Sequence, residues 1–89
     1  MDTIIEFSKS AFKHNKTEAD IRWAFENILY DEQLDESDGG GVIDSKHLLI
    51  GFDCNATLIE VLYNVIDEDT LRVFHVMPCR NIFLSLIHN

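Results

Sequence analysis

Between His47 and Met77 the chain offers three β-rich stretches, His47 to Asp53, Thr57 to Ile66 and Leu71 to Met77. The links between them, Cys54-Asn55-Ala56 and Asp67-Glu68-Asp69-Thr70, are short and polar, as hairpin loops are. Neighbouring strands joined in this way predict an antiparallel meander, and every other element must be arranged around it. Within the second stretch Ile59, Val61, Tyr63 and Val65 alternate onto one face, which leaves Glu60 on the face opposite to Tyr63. Strict alternation through Leu71 to Met77 puts His75 on the face of Leu71, Val73 and Met77.

Helical patterns flank the meander. Thr17 is a good N-cap, and Glu18 and Asp20 follow in the first turn, where negative charge suits the helix dipole. Ile21, Ala24, Phe25, Ile28 and Leu29 then form one apolar stripe, which predicts an amphipathic helix ending near Leu29 or Tyr30. Ser8 to His14 has the length of two helical turns, with Ser8 as N-cap and Asn15 as C-cap. Ahead of it, Thr3 to Phe7 reads as a strand or an extended lead-in. Pro78 stands where a last helix can begin, with Ile82, Phe83, Leu86 and Ile87 along one face. The expectation is an α+β fold: N-terminal helices, an antiparallel β-sheet meander of three to four strands, and a C-terminal helix covering one face.

A chain of 89 residues with 46% hydrophobic content holds one modest core, so residues 1–89 read as a single domain. The formal charge of −9 argues against a broad grip on nucleic acid, which needs clustered Lys and Arg. Six of the acids, Asp31, Glu32, Asp35, Glu36, Asp38 and Asp44, crowd into one segment with Gly39-Gly40-Gly41 and no basic residue. That segment reads as a surface loop, with a short strand around Tyr30 to Leu34. As a calcium loop from Asp35 it fails, because the third, fifth and twelfth positions are Ser37, Gly39 and Lys46. Cys54 and Cys79 form no metal or disulfide motif and read as reduced thiols. Neither a long apolar run nor a basic start before an apolar stretch is present, so the expectation is a cytoplasmic chain with no membrane partner.

The sequence holds no nucleophile elbow, phosphate-binding glycine loop or HExxH motif. Candidate chemistry rests instead on four basic side chains. His75 suits general acid–base work, and Arg80, at the junction of the last strand with its following helix, suits a phosphate clamp. Lys13 and His14 form a basic knot before the main helix. If the first helix packs near the last strand, these two sets meet in a small basic patch.

Three stretches, Ser8 to Ile21 (SKSAFKHNKTEADI), Leu49 to Tyr63 (LIGFDCNATLIEVLY) and Val73 to Leu84 (VFHVMPCRNIFL), resemble in order the motifs of BrnT-like toxins of type II toxin–antitoxin systems, within the RelE-like ribonuclease fold. The resemblance implies an RNA-cleaving toxin that needs no metal or other cofactor. Its implied partner is a small antitoxin, often a ribbon–helix–helix protein, in a complex that can include further copies of the toxin. The matching positions are Lys13, His14, His75 and Arg80. RNA cleavage by its own 2′-hydroxyl needs a base, an acid and a cation facing the phosphate, and these residue types supply them. In charge the chain departs from that fold's typically basic enzymes. The departure supports a second reading, a non-catalytic interaction module that uses the helix stripe, Trp23 and a sheet edge to bind a basic partner.

Overall fold

The structure, a computed structural model, describes residues 3–34 and 46–87. The glycine run, four of the six acids and all but the twelfth position of the tested calcium loop fall on residues 35–45, outside the described residues. The elements are β1 (Ile4–Phe7), a 3-10 turn (Lys9–Phe12), α1 (Glu18–Glu26), β2 (Ile28–Gln33), β3 (Lys46–Phe52), β4 (Leu58–Val65), β5 (Thr70–Pro78) and α2 (Asn81–Leu84). The strands form one sheet in the order β1-β5-β4-β3-β2.

The expected meander is present: β2 pairs β3, β3 pairs β4 and β4 pairs β5, all antiparallel. The α+β class also holds. Its finer description changes, because five strands are described rather than three to four, and the sheet is mixed. The added strand is β1, which lies parallel to β5 in the register Ile4↔Thr70 to Phe7↔Val73. A parallel partner remote in sequence leaves no turn signal for a sequence reading to detect.

The N-terminal helices also differ from the expectation. Ser8 to His14 makes only a single 3-10 turn, while Asn15 takes the left-handed conformation (φ 64°) that ends it. In α1, Thr17 Oγ1 accepts the Asp20 N–H at 3.1 Å and the Asp20 carboxylate accepts the Thr17 N–H at 3.0 Å, a complete capping box. The helix stops at Asn27, short of Leu29. Gly51 of β3 explains the stop. A Cβ there would lie 2.7 Å from the Ala24 carbonyl oxygen and 3.0 Å from that of Asn27. The last turn of α1 rests directly on strand backbone, and the chain leaves it to pair as β2. Ile28 and Leu29, helical by spacing, become half-exposed strand residues.

The main core lies between α1 and one face of the sheet. Ile21 and Ala24 of α1, Ala11 of the 3-10 turn, Leu49, Ile59, Val61, Tyr63, Val73 and Val76 are buried together. Tyr63 reaches across β3 and donates its hydroxyl proton to the Asp31 carboxylate of β2 at 2.9 Å. Leu48, Ile50 and Glu60 are also buried, on the opposite face of the sheet.

The expected C-terminal helix covering one face is corrected as well: only the four-residue α2 forms, none of its residues is buried, and Ile82 is 69% exposed. Pro78 does not open it. Pro78 closes β5, opposite Ile59, at a strand end where its missing N–H is tolerated. Among the described residues, no helix is long and apolar enough to cross a membrane.

Candidate functional site

Glu60 stands mid-strand in β4 and is completely buried. A carboxylate there persists only if its charge is paired and its oxygens are hydrogen-bonded. Arg80 supplies most of this. Its backbone N–H donates to Oε1 at 3.0 Å, Nε donates to both oxygens at 3.0 and 3.1 Å, and Nη2 donates to Oε2 at 2.7 Å. The chain between Pro78 and α2 is thereby drawn onto this face of the sheet. His75 Nε2 makes a further bond to Oε2 at 3.0 Å. Burial alone would raise the Glu60 pKa, but the Arg80 side chain, its N–H and His75 outweigh it, and the carboxyl is held below its ordinary value.

His75 reaches Glu60 because β5 bulges. Leu62 faces His75 and Tyr63 faces Val73, so Phe74 is an extra residue opposite no partner. The expected shared face is corrected accordingly. Leu71 and Val73 stay on the core side, while His75, opposite Leu62, and Met77, opposite Glu60, stand on the other side. An ionised Glu60 only accepts hydrogen bonds, so Nε2 carries the proton between them. Nδ1 is then the ring atom left to take or give a proton.

The 3-10 turn runs beside β5 past the end of β1 and brings a second imidazole to the site. The His14 and His75 ring centres are 6.0 Å apart, edge to face at 72°. Arg80 lies over the Phe83 ring at 5.3 Å, and its side chain remains 47% exposed although one edge is bound to Glu60. A guanidinium held through Nε and Nη2 still has the N–H donors of Nη1 outside those bonds. Cys79, next in sequence to Arg80, has its pKa raised by burial and by the Glu60 charge, which keeps it a thiol at neutral pH.

Of the four residues marked in the sequence, the structure joins three. His75 and Arg80 share one carboxylate, and His14 packs beside His75. Lys13 closes the 3-10 turn one residue before His14 and is exposed; among the described residues its side chain bonds to none of the other three. The residue missed as a site member is Glu60. Its signal was a lone acid amid Leu58, Ile59, Val61 and Leu62, where a charge with no partner cannot stay buried. Lys16, which the sequence places in the same basic knot as Lys13 and His14, belongs elsewhere. It donates to the buried Asp53 carboxylate at 2.8 Å and leaves the basic knot. Among the described residues, no three His, Cys, Asp or Glu side chains gather closely enough to hold a metal.

No protein-family model matches the chain, and no curated protein matches it.

Proposed function

We propose that this protein is the toxin of a type II toxin–antitoxin pair and cleaves RNA without a metal ion. The observation that carries the reading is the shared Glu60 carboxylate. It aims His75 and Arg80 at one place, and His14 stands beside them. The chemistry follows from those positions. Arg80 directs its outward donors at the non-bridging oxygens of a phosphodiester. His75 Nδ1 takes the proton of the 2′-hydroxyl as that oxygen attacks phosphorus, and Glu60 stabilises the imidazolium that forms. His14 gives a proton to the departing 5′-oxygen. The products are a 2′,3′-cyclic phosphate and a free 5′-hydroxyl. Lys13, beside His14, supplies a cation for the neighbouring phosphate. The partner is a small antitoxin, of the ribbon–helix–helix kind in the related systems, and the complex works in the cytoplasm, where Cys54 and Cys79 stay reduced.

The test is direct. Expression of the protein alone arrests growth, His75→Ala relieves the arrest, and the purified protein cleaves RNA in the presence of a chelator. Harmless high-level expression with bulk RNA intact would sink the reading. The charge of −9, with Trp23, Ile28 and Leu29 about half exposed, favours the second reading, a non-catalytic module for a basic protein partner. That reading expects His75→Ala to behave as the parent does in both assays.

A further inference from the structure

The bulge that turns His75 toward Glu60 is itself held by two hydroxyl groups. Pairing with β1 ends at Val73, so β5 loses its neighbour on that side just where the extra residue falls. Carbonyls at such a break need other donors. The chain leaving β1 provides them. The Ser8 N–H donates to the Val73 carbonyl at 2.9 Å, and Ser8 Oγ donates to the same oxygen at 3.2 Å. Ser10 Oγ donates to the carbonyl of Phe74, the bulged residue. The apolar pattern calls for the bulge as well. Val73 and Val76 are both fully buried although three positions apart, a spacing that strict alternation would split between two faces. Burial of these two valines selects the bulge; it does not set the angle at which the ring between them leaves the strand. The Phe74 carbonyl belongs to the peptide that enters His75, and Ser10 is bonded to that carbonyl.

We infer that Ser10, assisted by Ser8, is a positioning residue. Its hydroxyl fixes the Phe74 peptide, and through it the His75 ring, at bonding distance from Glu60. The inference rests on the reading of His75 as the proton-transfer residue. It adds that the seat of this residue is built by the 3-10 turn that also delivers His14. One short segment thus sets both imidazoles, so the distance between them is governed by contacts outside the sheet ladder.

The experiment compares Ser10→Ala with Ser10→Thr in the full chain. In Ser10→Ala the nuclear Overhauser cross-peaks between the His75 ring and the Glu60 side chain fade. The kcat on an RNA oligonucleotide falls about 10- to 100-fold with KM unchanged, the cost of a misplaced catalytic group. Ser10→Thr keeps the hydroxyl and restores both. Parental cross-peaks and kcat in Ser10→Ala overturn the inference, as does a folded Ser10→Thr no better than Ser10→Ala. Should Ser10→Ala not fold, Ser8→Ala, which keeps the Ser8 N–H bond to Val73, replaces it under the same criteria. A parent protein that leaves RNA intact counts against the nuclease reading alone, since the cross-peaks still decide whether the hydroxyl seats the ring.

Discussion

Asp53 and Glu60 are both completely buried carboxylates, and both are held ionised by a basic partner, yet they are enclosed in different ways. Asp53 sits at the start of the β3–β4 turn. It accepts from the Asn55 and Thr57 N–H groups at 2.8 and 2.9 Å and from Lys16, whose own side chain is only 17% exposed. Asp20 completes this corner by accepting the Cys54 N–H at 3.1 Å, which ties the first turn of α1 to the same loop. Every partner there is spent inside the fold. Glu60 is paired instead with side chains that keep one edge in solvent, Arg80 at 47% and His75 at 25% exposed. A buried charge whose partners are also enclosed fastens the chain. A buried charge whose partners reach the surface holds those partners in a fixed orientation there.

The largest effect that can break this contrast is on activity. His75→Ala should cut RNA cleavage by about 10²- to 10⁴-fold, the usual worth of a general acid or base. Its urea midpoint should stay near the parent's, because a partly exposed ring is lost and Glu60 keeps Arg80. A large drop in midpoint with cleavage retained would show that Glu60 is a fastening like Asp53.

Lys16→Met is the converse. It leaves Asp53 buried and unpaired, and urea unfolding should show a loss of about 3–5 kcal/mol. Cleavage per folded molecule should stay unchanged. A loss below about 1 kcal/mol would mean that the backbone N–H groups alone hold Asp53.

The pH dependence sharpens the comparison further. The Asp53, Glu60 and Asp20 carboxyls are all held below their ordinary values: burial opposes the charge on Asp53 and Glu60, but Lys16 and Arg80 bonds prevail, and the Thr17 N–H leads for Asp20. A depressed folded pKa contributes stability that is present above the unfolded value and lost as pH falls through the folded one. Unfolding free energy should therefore be flat from neutral pH down to the ordinary carboxyl range, then decline steadily into acid. Glu60→Gln should flatten part of that acid decline while weakening the hold on His75, and Asp53→Asn should flatten another part without touching cleavage. An acid limb that Glu60→Gln leaves unchanged would contradict the pairing with Arg80.

The smallest effect belongs to an exposed pair. Glu18 and Arg22 meet at 2.9 Å one helical turn apart, with both side chains about half exposed. Arg22→Ala should cost about 0.3–0.5 kcal/mol by urea titration, and this should vanish in high salt. A larger loss would assign Arg22 a packing role over the Phe7 ring, which it approaches at 5.6 Å.

The meander was legible because hairpins leave local evidence: alternation, short polar links and the β-branched run around Ile59 and Val61. The start of α1 was legible for the same reason, since a capping box is written within four residues. Three features were not. The pairing of β1 with β5 joins Ile4 to Thr70, and no local pattern encodes it. The end of α1 was hidden because Ile28 and Leu29 satisfy the helical period, while the residue that stops the helix, Gly51, lies in another strand. The face of His75 departs from strict alternation because one bulged residue reverses every later side chain in its strand. In the site, His14, His75 and Arg80 were visible as residue types with suitable chemistry. Alternation places Glu60 opposite to Tyr63 but gives no local sign that this face of β4 is also covered. That shows only in the burial of both faces of β4.

The parallel pairing of β1 with β5 also sets an order of events. During synthesis β1 and His14 emerge early and find no strand to join, because the edge they need is made last. Local hairpins close quickly, whereas a contact between Ile4 and Thr70 must wait for most of the described chain. The 3-10 turn can dock, and the two imidazoles can meet, only after β5 has formed. A chain still attached to its ribosome cannot assemble the His14, His75, Glu60 and Arg80 cluster until residue 80 has emerged.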